Sequence, residues 1–561
     1  MGRKKREPMD NIDTAWYRME DPANLMMVSA FMTLEGRLDF DRFMATIKHH
    51  LLYFDRFKQK VVTEDGPLGG TYWEDDPNFD IHNHIERITL PGKGTKQDLE
   101  DFVSRAMSRS LDYDQPLWHV YVIDNYEDGS AFLIRLHHCI ADGRALIRVL
   151  LKITNEIDEE DIAPEPEKPK PPKRFRFKSG LPFIDELVQP AVDFAHDTLK
   201  TTDKFLREGI EIIRDPSRIS KAAQLAAGSV TSLGRLLFRW PDPPTILKGK
   251  LGRPKRASWS EPLPLQDIKD IKNATGTTVN DVLVAAIAGA VRKYMISRRQ
   301  PVKGINIRAA VPVDLRSENE ELELGNKFGL VFLSLPVGMP GVRERLLEQK
   351  RRMDDLKNTP EAYVVLNVLD VVGKVPQEIQ DLVVQLIGSK TSMVMTNVPG
   401  PEKPLKLLGN RIKNIMFWVP QSGRVGLGIS VISYNNQVRV GIASDQGMVP
   451  DPQKLVETFQ HELEDLWELI PEDQRRKPNF GYEAQADNTT TEIQDKITEE
   501  SEEEEQPSQS QTIDRTTLFG EEQRCIAITH TGKRCKNSAV EGSEYCQIHQ
   551  NGSVKRTIYD E

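Results

Sequence analysis

The sequence predicts an α/β protein with mixed sheets. Its 561 residues are 38% hydrophobic and 29% charged, which is enough apolar material for two or three domains with their own cores. In the second half of the chain, strand-like runs alternate irregularly with helix-like runs, so a simple repeated strand–helix scheme is not expected. The strands are predicted over 305–311, 331–335, 392–395, 426–433 and 437–442, and the helices over 278–295, 342–357, 376–387 and 452–469.

The first part of the chain mixes the same two kinds of element. Apolar residues at helical spacing predict a helix over 40–57. Two runs of strand length, 118–123 and 131–136, are separated by turn-forming Asp, Asn and Gly residues. A helix is expected over 144–153, directly after the second of these strands and the turn that follows it.

Composition marks the domain boundaries. Residues 157–178 are acidic and then rich in Pro and Lys, without periodicity, which is typical of a linker. Residues 487–511 are too polar and acidic to bury the apolar surface that folding needs. The predicted segments are a first half 1–154, a linker 155–180, a helical connection 181–245, a second half 246–470, a disordered acidic linker 471–520 and a C-terminal module 521–551.

One motif in the first half carries chemistry. The strand over 131–136 opens into residues 137–143, which read His-His-Cys-Ile-Ala-Asp-Gly and fit the pattern His-His-x-x-x-Asp-Gly. An imidazole at a strand end, beside a tight turn, is placed to remove a proton from an alcohol or a thiol. Because side chains alternate along a strand, His137 and His138 are expected to face opposite ways. The alternative is a structural turn with one buried and one exposed histidine.

Further motifs along the chain resemble those of the bacterial wax ester synthase/acyl-CoA:diacylglycerol acyltransferases. The resemblance covers residues 9 to about 470. Its other marks are MDNID at 9–13, PLW at 116–118, TVND at 278–281, PVDLR at 312–316, GN at 325–326 with Gly329, TNVPGP at 396–401 and PD at 450–451. It implies two chloramphenicol-acetyltransferase-like halves with an active-site tunnel between them.

The resemblance also implies roles for the motif residues. His138 is the expected general base, and His137 is expected to pack or hydrogen-bond internally. Asp142 either orients His138 or stabilises the turn through an ion pair, for which Arg316 is a candidate partner, and the structural role is favoured. Gly143 is expected to permit a close approach of main chain that a side chain would block. These four residues form the predicted catalytic set.

The second half supplies the candidates for substrate binding. Asn280, or Thr396 and Asn397, are candidate hydrogen-bond donors to the oxygen of the tetrahedral intermediate. For Asn280 and Asp281 a helix N-terminal cap is an equally supported alternative. Gly325 and Asn326 are also candidates for substrate binding, and for them, as for residues 397–401, a plain turn is the favoured interpretation.

The expected function is O-acyl transfer from acyl-CoA to a long-chain alcohol or to diacylglycerol, giving wax ester or triacylglycerol. No cofactor is implied for catalysis, because acyl-CoA is a substrate. One alternative is an enzyme of the same fold that acylates another acceptor, such as a polyketide alcohol or an amine. A second alternative is a non-catalytic scaffold on lipid droplets or membranes, against which the intact His-His-x-x-x-Asp-Gly pattern argues.

Charge and hydropathy predict a cytoplasmic protein that associates peripherally with membranes or lipid inclusions. The net charge of −10 gives no overall attraction to nucleic acid, which is not expected as a partner. No transmembrane segment is expected, because the longest apolar run, 282–291, is too short to span a bilayer. The basic run 168–178 and the amphipathic run 219–240 are candidates for docking on anionic lipid, although packing between the halves is the favoured interpretation for the latter.

The C-terminal module contains three of the four cysteines. Cys525, Cys535, Cys546 and His549 provide three thiolates and one imidazole, a set suited to a structural zinc ion. The closing Cys-x-x-His pair has good ligand spacing, although the wider gaps differ from those of common zinc fingers. The alternative is an unstructured tail with three free thiols.

Overall fold

The computed structural model describes residues 6–64, 70–154, 239–316, 324–357, 359, 361–375, 377–421, 423–476 and 478. They all belong to the first of the two units into which the chain divides, Met1–Ile493 and Gln494–Glu561. The predicted linker 155–180, residues 181–238, the segment after 478 and the zinc module lie outside the described residues. Those boundaries therefore stay predictions.

The described residues form sixteen strands and ten α-helices. The strands are β1 (Arg6–Pro8), β2 (Met27–Leu34), β3 (Gln59–Thr63), β4 (Thr71–Asp75), β5 (Ile85–Ile88), β6 (Trp118–Tyr126), β7 (Gly129–His137), β8 (Lys255–Trp259), β9 (Leu263–Pro264), β10 (Ile307–Asp314), β11 (Phe328–Leu335), β12 (Met393–Pro399), β13 (Lys406–Leu407), β14 (Asn410–Trp418), β15 (Leu427–Tyr434) and β16 (Gln437–Asp445). The helices are α1 (Asn11–Arg18), α2 (Phe40–Thr46), α3 (Lys96–Met107), α4 (Gly143–Thr154), α5 (Leu265–Thr275), α6 (Val279–Ser297), α7 (Val342–Lys357), α8 (Glu361–Val372), α9 (Gln377–Ser389) and α10 (Pro452–Trp467).

The sheet that carries the histidine motif has the strand order β13-β14-β2-β7-β6-β5. Its neighbouring strands are antiparallel except for the parallel pair β5 and β6. β7 lies between β2 and β6 and is buried on both faces, so its end is held on both sides by main-chain hydrogen bonds. β13 and β14 come from the second half, which therefore contributes strands to the sheet of the first.

The largest sheet belongs to the second half and has the order β11-β10-β12-β15-β16-β8, with β9 also paired to β16. β12 runs parallel to both of its neighbours, β10 and β15, and the other pairs are antiparallel. A third, smaller sheet has the order β1-β4-β3. The mixed α/β class predicted from the sequence is confirmed.

Helix α6 is buried along nearly its whole length. Its residues 282–291 are apolar on every side, which is typical of a helix that lies away from water, and here they are buried inside the protein. The α6 and α10 helices pack against each other. Among the described residues no single helix has both the length and the apolar composition to cross a bilayer; α5 and α6, bent by 97° at their junction, reach that threshold only when taken together.

The predicted helix over 40–57 is wrong in its second part. Helix α2 ends at Thr46, a π-helical turn follows over Ile47–Leu51, and a 3₁₀ turn spans Asp55–Phe57. The apolar side chains that suggested one helix, such as Ile47 and Leu51, are buried all the same. Apolar spacing thus identified the buried residues, whereas the path of the main chain depended on local hydrogen bonding.

Helix α1 was not predicted, and it connects the first half of the chain to the second. It packs on α8. Asn11 Nδ2 donates to Asp370 Oδ1 over 2.8 Å, and Gln380 Nε2 donates to the main-chain oxygen of Ala15 over 2.8 Å. This short helix near the start of the chain is thereby fixed to helices of the second half.

Candidate active site

The two histidines of the motif lie at the end of β7 and in the turn after it. His137 is the last residue of the strand and is fully buried. Its Nδ1 accepts a hydrogen bond from the main-chain N–H of Cys139 over 3.1 Å, and its Nε2 lies 3.6 Å from a carboxylate oxygen of Glu20. Its ring also contacts Tyr17 at 5.8 Å between centroids. His137 is therefore held by internal contacts.

His138 has different surroundings. Its main-chain N–H donates to the main-chain oxygen of Met26 over 2.7 Å. Its ring stacks on Trp16, with centroids 4.4 Å apart and planes 18° apart, and Phe328 lies 5.6 Å away. Burial lowers the pKa of His138 to about 4, although the Asp142 carboxylate opposes that shift. The imidazole is therefore neutral at neutral pH, which is the form that accepts a proton.

Asp142 stabilises the turn. Its carboxylate forms an ion pair with Arg316, in which both side chains are more than nine-tenths buried. The same carboxylate accepts main-chain hydrogen bonds from Ala145 over 3.1 Å and from Lys327 over 3.1 Å. The ion pair that the sequence analysis favoured is present, and it links the motif of the first half to the second half.

Gly325 and Asn326 lie against the histidine loop, where Gly325 forms an isolated parallel β-bridge with Ala141 and not the expected turn. The Gly325 N–H donates to Ile140 O over 2.9 Å, and Asp142 N–H donates to Gly325 O over 3.3 Å. Asn326 Nδ2 donates to the main-chain oxygen of His138 over 2.7 Å. Both residues thus contact the motif main chain, and their predicted role in binding substrate stays a prediction.

The expected reason for Gly143 is wrong. A Cβ built on Gly143 would have as its nearest neighbour Val398 Cγ2, at the ordinary van der Waals distance of 3.9 Å. The neighbour is a side chain and not main chain, so no close main-chain approach requires a glycine here. Gly143 is the first residue of α4 and lines the cavity described below.

The remaining candidates lie around the start of α6 and the end of β12. Asp281 caps α6 together with Thr278: each side chain accepts a hydrogen bond from the other residue's main-chain N–H, over 3.1 and 2.9 Å. Asn397 Nδ2 donates to Asn280 Oδ1 over 2.6 Å, and both line an apolar cavity of about 30 Å³. Thr396 is buried on β12 beside Asn397. The cap interpretation therefore holds for Asp281, and Asn280 and Asn397 form a pair.

A larger apolar cavity, of about 100 Å³, lies between the two halves. Its walls include Val28, Leu136, Gly143 and Leu146 of the first half and Val398 and Ile432 of the second. Leu136 and Gly143 flank the histidine loop in sequence, so the cavity is lined by the residues at the two ends of that loop. His138, the expected general base of the active-site tunnel, is not one of the lining residues of this cavity.

Two family models match this chain over most of its described length. The model of the wax ester synthase/diacylglycerol acyltransferase catalytic domain matches residues 9–283, and the model of the C-terminal domain of the same family matches residues 324–467. The chain belongs to the wax ester synthase/diacylglycerol acyltransferase family. Residues 137–143 fall within the match to the catalytic domain.

Two mycobacterial relatives agree with this membership. A Mycobacterium tuberculosis protein assigned as a diacylglycerol O-acyltransferase, tgs1, is 25% identical over 459 residues, which are 80% of this chain and 93% of that protein. A second from the same organism, tgs2, is 26% identical over 426 residues, 74% of this chain and 87% of that protein.

Two solved structures share the fold. The wax ester synthase/diacylglycerol acyltransferase of Marinobacter aquaeolei VT8 has a TM-score of 0.58 at 22% identity, covering 82% of this chain and 98% of that one. The first condensation domain of the CDA synthetase has a TM-score of 0.54 at 14% identity, covering 84% and 97%. At these identities the two structures establish a shared fold.

Sequence reasoning assigned no role to three side chains around His138. Trp16 and Phe328 contact its ring, and Asp13 accepts two hydrogen bonds from Asn326, as described below. The sequence signal that could have pointed to these residues was the family motif at 9–13, which ends with Asp13, three residues before Trp16. Residues at that spacing share one face of a helix, but a helix of eight residues gives too little periodicity to be recognised.

Proposed function

We propose that the protein transfers a fatty acyl group from CoA to the hydroxyl of diacylglycerol or of a long-chain alcohol, forming triacylglycerol or wax ester. The observation that carries the proposal is a neutral, buried imidazole at the end of β7, beside an apolar cavity that both halves of the protein line. Family membership and the assignments of the mycobacterial relatives support it.

His138 is the proposed general base. It takes the hydroxyl proton of the acceptor as the oxygen attacks the thioester carbonyl, which gives a tetrahedral intermediate. When the C–S bond of that intermediate breaks, the proton passes from His138 to the CoA sulfur, so the products are the ester and free CoA. The pKa of about 4 keeps the imidazole neutral before the reaction.

The second half supplies the proposed substrate contacts. We assign Asn280, Thr396 and Asn397 as hydrogen-bonding contacts to the substrate or to the oxygen of the intermediate. The hydrogen-bonded Asn280–Asn397 pair lines a cavity. Strand β12, which carries Asn397, also places Val398 next to Gly143 of the histidine motif. The larger cavity is the proposed site of the acyl chain within a tunnel between the halves. Its walls offer apolar contacts and no charge, which suits a hydrocarbon chain.

Product analysis tests the activity. The purified full chain is incubated with palmitoyl-CoA and either dioleoylglycerol or hexadecanol, free CoA is measured with a thiol reagent, and lipids are identified by mass spectrometry. We expect ester and CoA in equal amounts. Release of CoA without ester would indicate hydrolysis, ester formation with other acceptors only would favour the alternative acceptor class, and no CoA release would favour a scaffold.

Peripheral binding to a cytoplasmic membrane or lipid inclusion is part of the proposal. It is supported by the apolar substrates of the family and by the basic run 168–178, which lies outside the described residues. Flotation of the full chain with vesicles of phosphatidylcholine and phosphatidylglycerol tests it. Alanine at the basic positions of 168–178 is expected to reduce flotation, and equal flotation would remove this run from the proposal.

Structural zinc in the C-terminal module rests on sequence spacing alone. The proposed ligands are Cys525, Cys535, Cys546 and His549, a closed tetrahedral set. Metal analysis of the full chain is expected to give about one zinc per chain, and less in the Cys546→Ser variant. The absence of zinc from the full chain would reject the site.

A further inference from the structure

We propose that Asp13 is a positioning residue for the acyl transfer, because through Asn326 it fixes the main chain of His138. The proposal rests on the proposed function. Asp13 lies on α1, Asn326 lies just before β11, and His138 follows β7, so the three residues come from distant parts of the chain. None of the roles assigned above to the histidine motif involves Asp13.

One amide group joins the three residues. Asp13 Oδ1 accepts hydrogen bonds from the main-chain N–H of Asn326 over 3.1 Å and from its Nδ2 over 2.8 Å. The same Nδ2 donates to the main-chain oxygen of His138 over 2.7 Å. Since an amide NH₂ has two hydrogens, it can serve both acceptors at once. With Asp13 in place, the side chain of Asn326 has one orientation in which its NH₂ group donates to both Asp13 Oδ1 and His138 O.

The same helix also holds the imidazole ring. Trp16 follows Asp13 by three residues, which places both side chains on one face of α1. Its indole stacks on His138 with centroids 4.4 Å apart. Helix α1 therefore fixes His138 at two points, the ring through Trp16 and the main-chain oxygen through Asp13 and Asn326.

Helix α1 is itself fixed to the second half. Asn11 donates to Asp370, Gln380 donates to Ala15 O, and an Nη atom of Arg18 donates to Val375 O over 3.2 Å. A displacement of α1 would thus move both contacts to His138. Because the geometry of a general base sets its efficiency, such a displacement is expected to reduce the rate of the chemical step more than substrate binding.

Asp13 could hold Asn326 either as a hydrogen-bond acceptor or through its negative charge, and its pKa helps to distinguish the two. Burial raises the pKa of Asp13 to about 7, with a further increase from Asp10, while Asn326 and the Arg56 guanidinium lower it. Burial raises the pKa of the Cys139 thiol, and the Asp13 carboxylate raises it further. Because the pKa of Asp13 is higher in the folded than in the unfolded chain, ionisation of this carboxyl destabilises the fold. The free energy of unfolding is therefore expected to fall as the pH rises from about 4 to 7. A neutral acceptor at position 13 is therefore expected to make the fold more stable at pH 8.

Three variants test the proposal by steady-state kinetics with a soluble acyl-CoA. We expect Asp13→Ala to lower kcat about 10- to 100-fold with the KM for acyl-CoA within about twofold, as for a misplaced catalytic group. Asp13→Asn keeps an acceptor oxygen and is expected to recover kcat to within about threefold of wild type, with a higher melting temperature at pH 8. Asp10→Ala removes an exposed carboxylate of the same segment and is the matched control.

Coupling between the two residues gives the decisive comparison. If Asp13 acts through Asn326, the double variant Asp13→Ala/Asn326→Ala is expected to be no slower than Asn326→Ala alone. Losses that multiply, an unchanged kcat in Asp13→Ala, or an Asp13→Asn variant as slow as Asp13→Ala would overturn the proposal. A wild-type enzyme without acyl transfer would count against the proposed function instead.

A readout that does not depend on activity completes the test. Amide hydrogen exchange over residues 137–143 is expected to be faster in Asp13→Ala than in wild type and Asp10→Ala, because the loop loses its anchored carbonyl. Unchanged exchange in this segment would overturn the positioning role, whichever reaction the protein catalyses.

Discussion

At the end of β7, His137 and His138 are adjacent in sequence but lie in different surroundings. His137 has a hydrogen bond from the main chain and a carboxylate near its Nε2, whereas the ring of His138 has aromatic neighbours and a buried Nδ1 without a hydrogen-bond partner. Desolvation by burial disfavours the imidazolium of His138, and the Asp142 carboxylate opposes this effect only in part. The local packing thus separates a structural histidine from a proton acceptor.

The lowered pKa of His138 predicts where activity is lost in acid. The neutral base is converted to imidazolium only as the pH falls through about 4. We expect initial rates at saturating acyl-CoA to stay level down to about pH 5 and to fall below it. Short assays across pH 4–8 measure this, with the folded fraction checked at each pH. An acid limb centred near the ordinary histidine value of about 6.5 would contradict the account.

The Asp142–Arg316 ion pair predicts a large effect on stability. Arg316→Ala leaves the buried Asp142 carboxylate without its cation, which typically costs about 3–5 kcal/mol. Arg144→Ala is the matched control, because its pair with Asp314 is more exposed, at 25% and 18% of the side chains. Denaturant unfolding is expected to show a clearly larger loss of unfolding free energy for Arg316→Ala. Equal losses would contradict the structural role of Asp142.

Among the elements, the sequence predicted most helices and strands of the second half, but it missed helices α3, α5 and α8 and strands β2 and β14. Helix α7 has the predicted bounds, and the predicted strands of the second half all exist with ends shifted by up to a few residues. Helix α1 has only eight residues, too few for a periodic signal. Strand β14 pairs with β2 of the first half. Local sequence pattern does not indicate which distant strands will pair.

Helix α4 offers a prediction at the scale of the element. Leu146 lines the larger cavity, whereas Leu151 of the same helix does not. Leu146→Trp is expected to fill part of the cavity and to lower kcat/KM for palmitoyl-CoA at least about tenfold more than for hexanoyl-CoA, as apolar pockets discriminate by chain volume. Leu151→Trp is the control. Equal effects of Leu146→Trp on both chain lengths would remove the acyl chain from this cavity.

At the scale of the whole molecule, the two halves are joined by more than a linker. Strands β13 and β14 extend the first half's sheet, α1 docks on second-half helices, and Arg316 and Asn326 hold the histidine loop. The sequence could predict the motif and the family resemblance, and it offered Arg316 as one candidate partner of Asp142. The hydrogen bonds that link Asp13 through Asn326 to His138 could not be predicted, because these residues are 125 or more positions apart and meet only in the folded chain.

The central claim is that His138 removes the proton of the acceptor hydroxyl, and its direct test is the rate of ester formation by His138→Ala. With palmitoyl-CoA and diacylglycerol we expect a loss of roughly 10²- to 10⁴-fold relative to wild type, in a variant whose melting temperature shows that it is folded. A folded His138→Ala enzyme that forms ester at the wild-type rate would contradict the account.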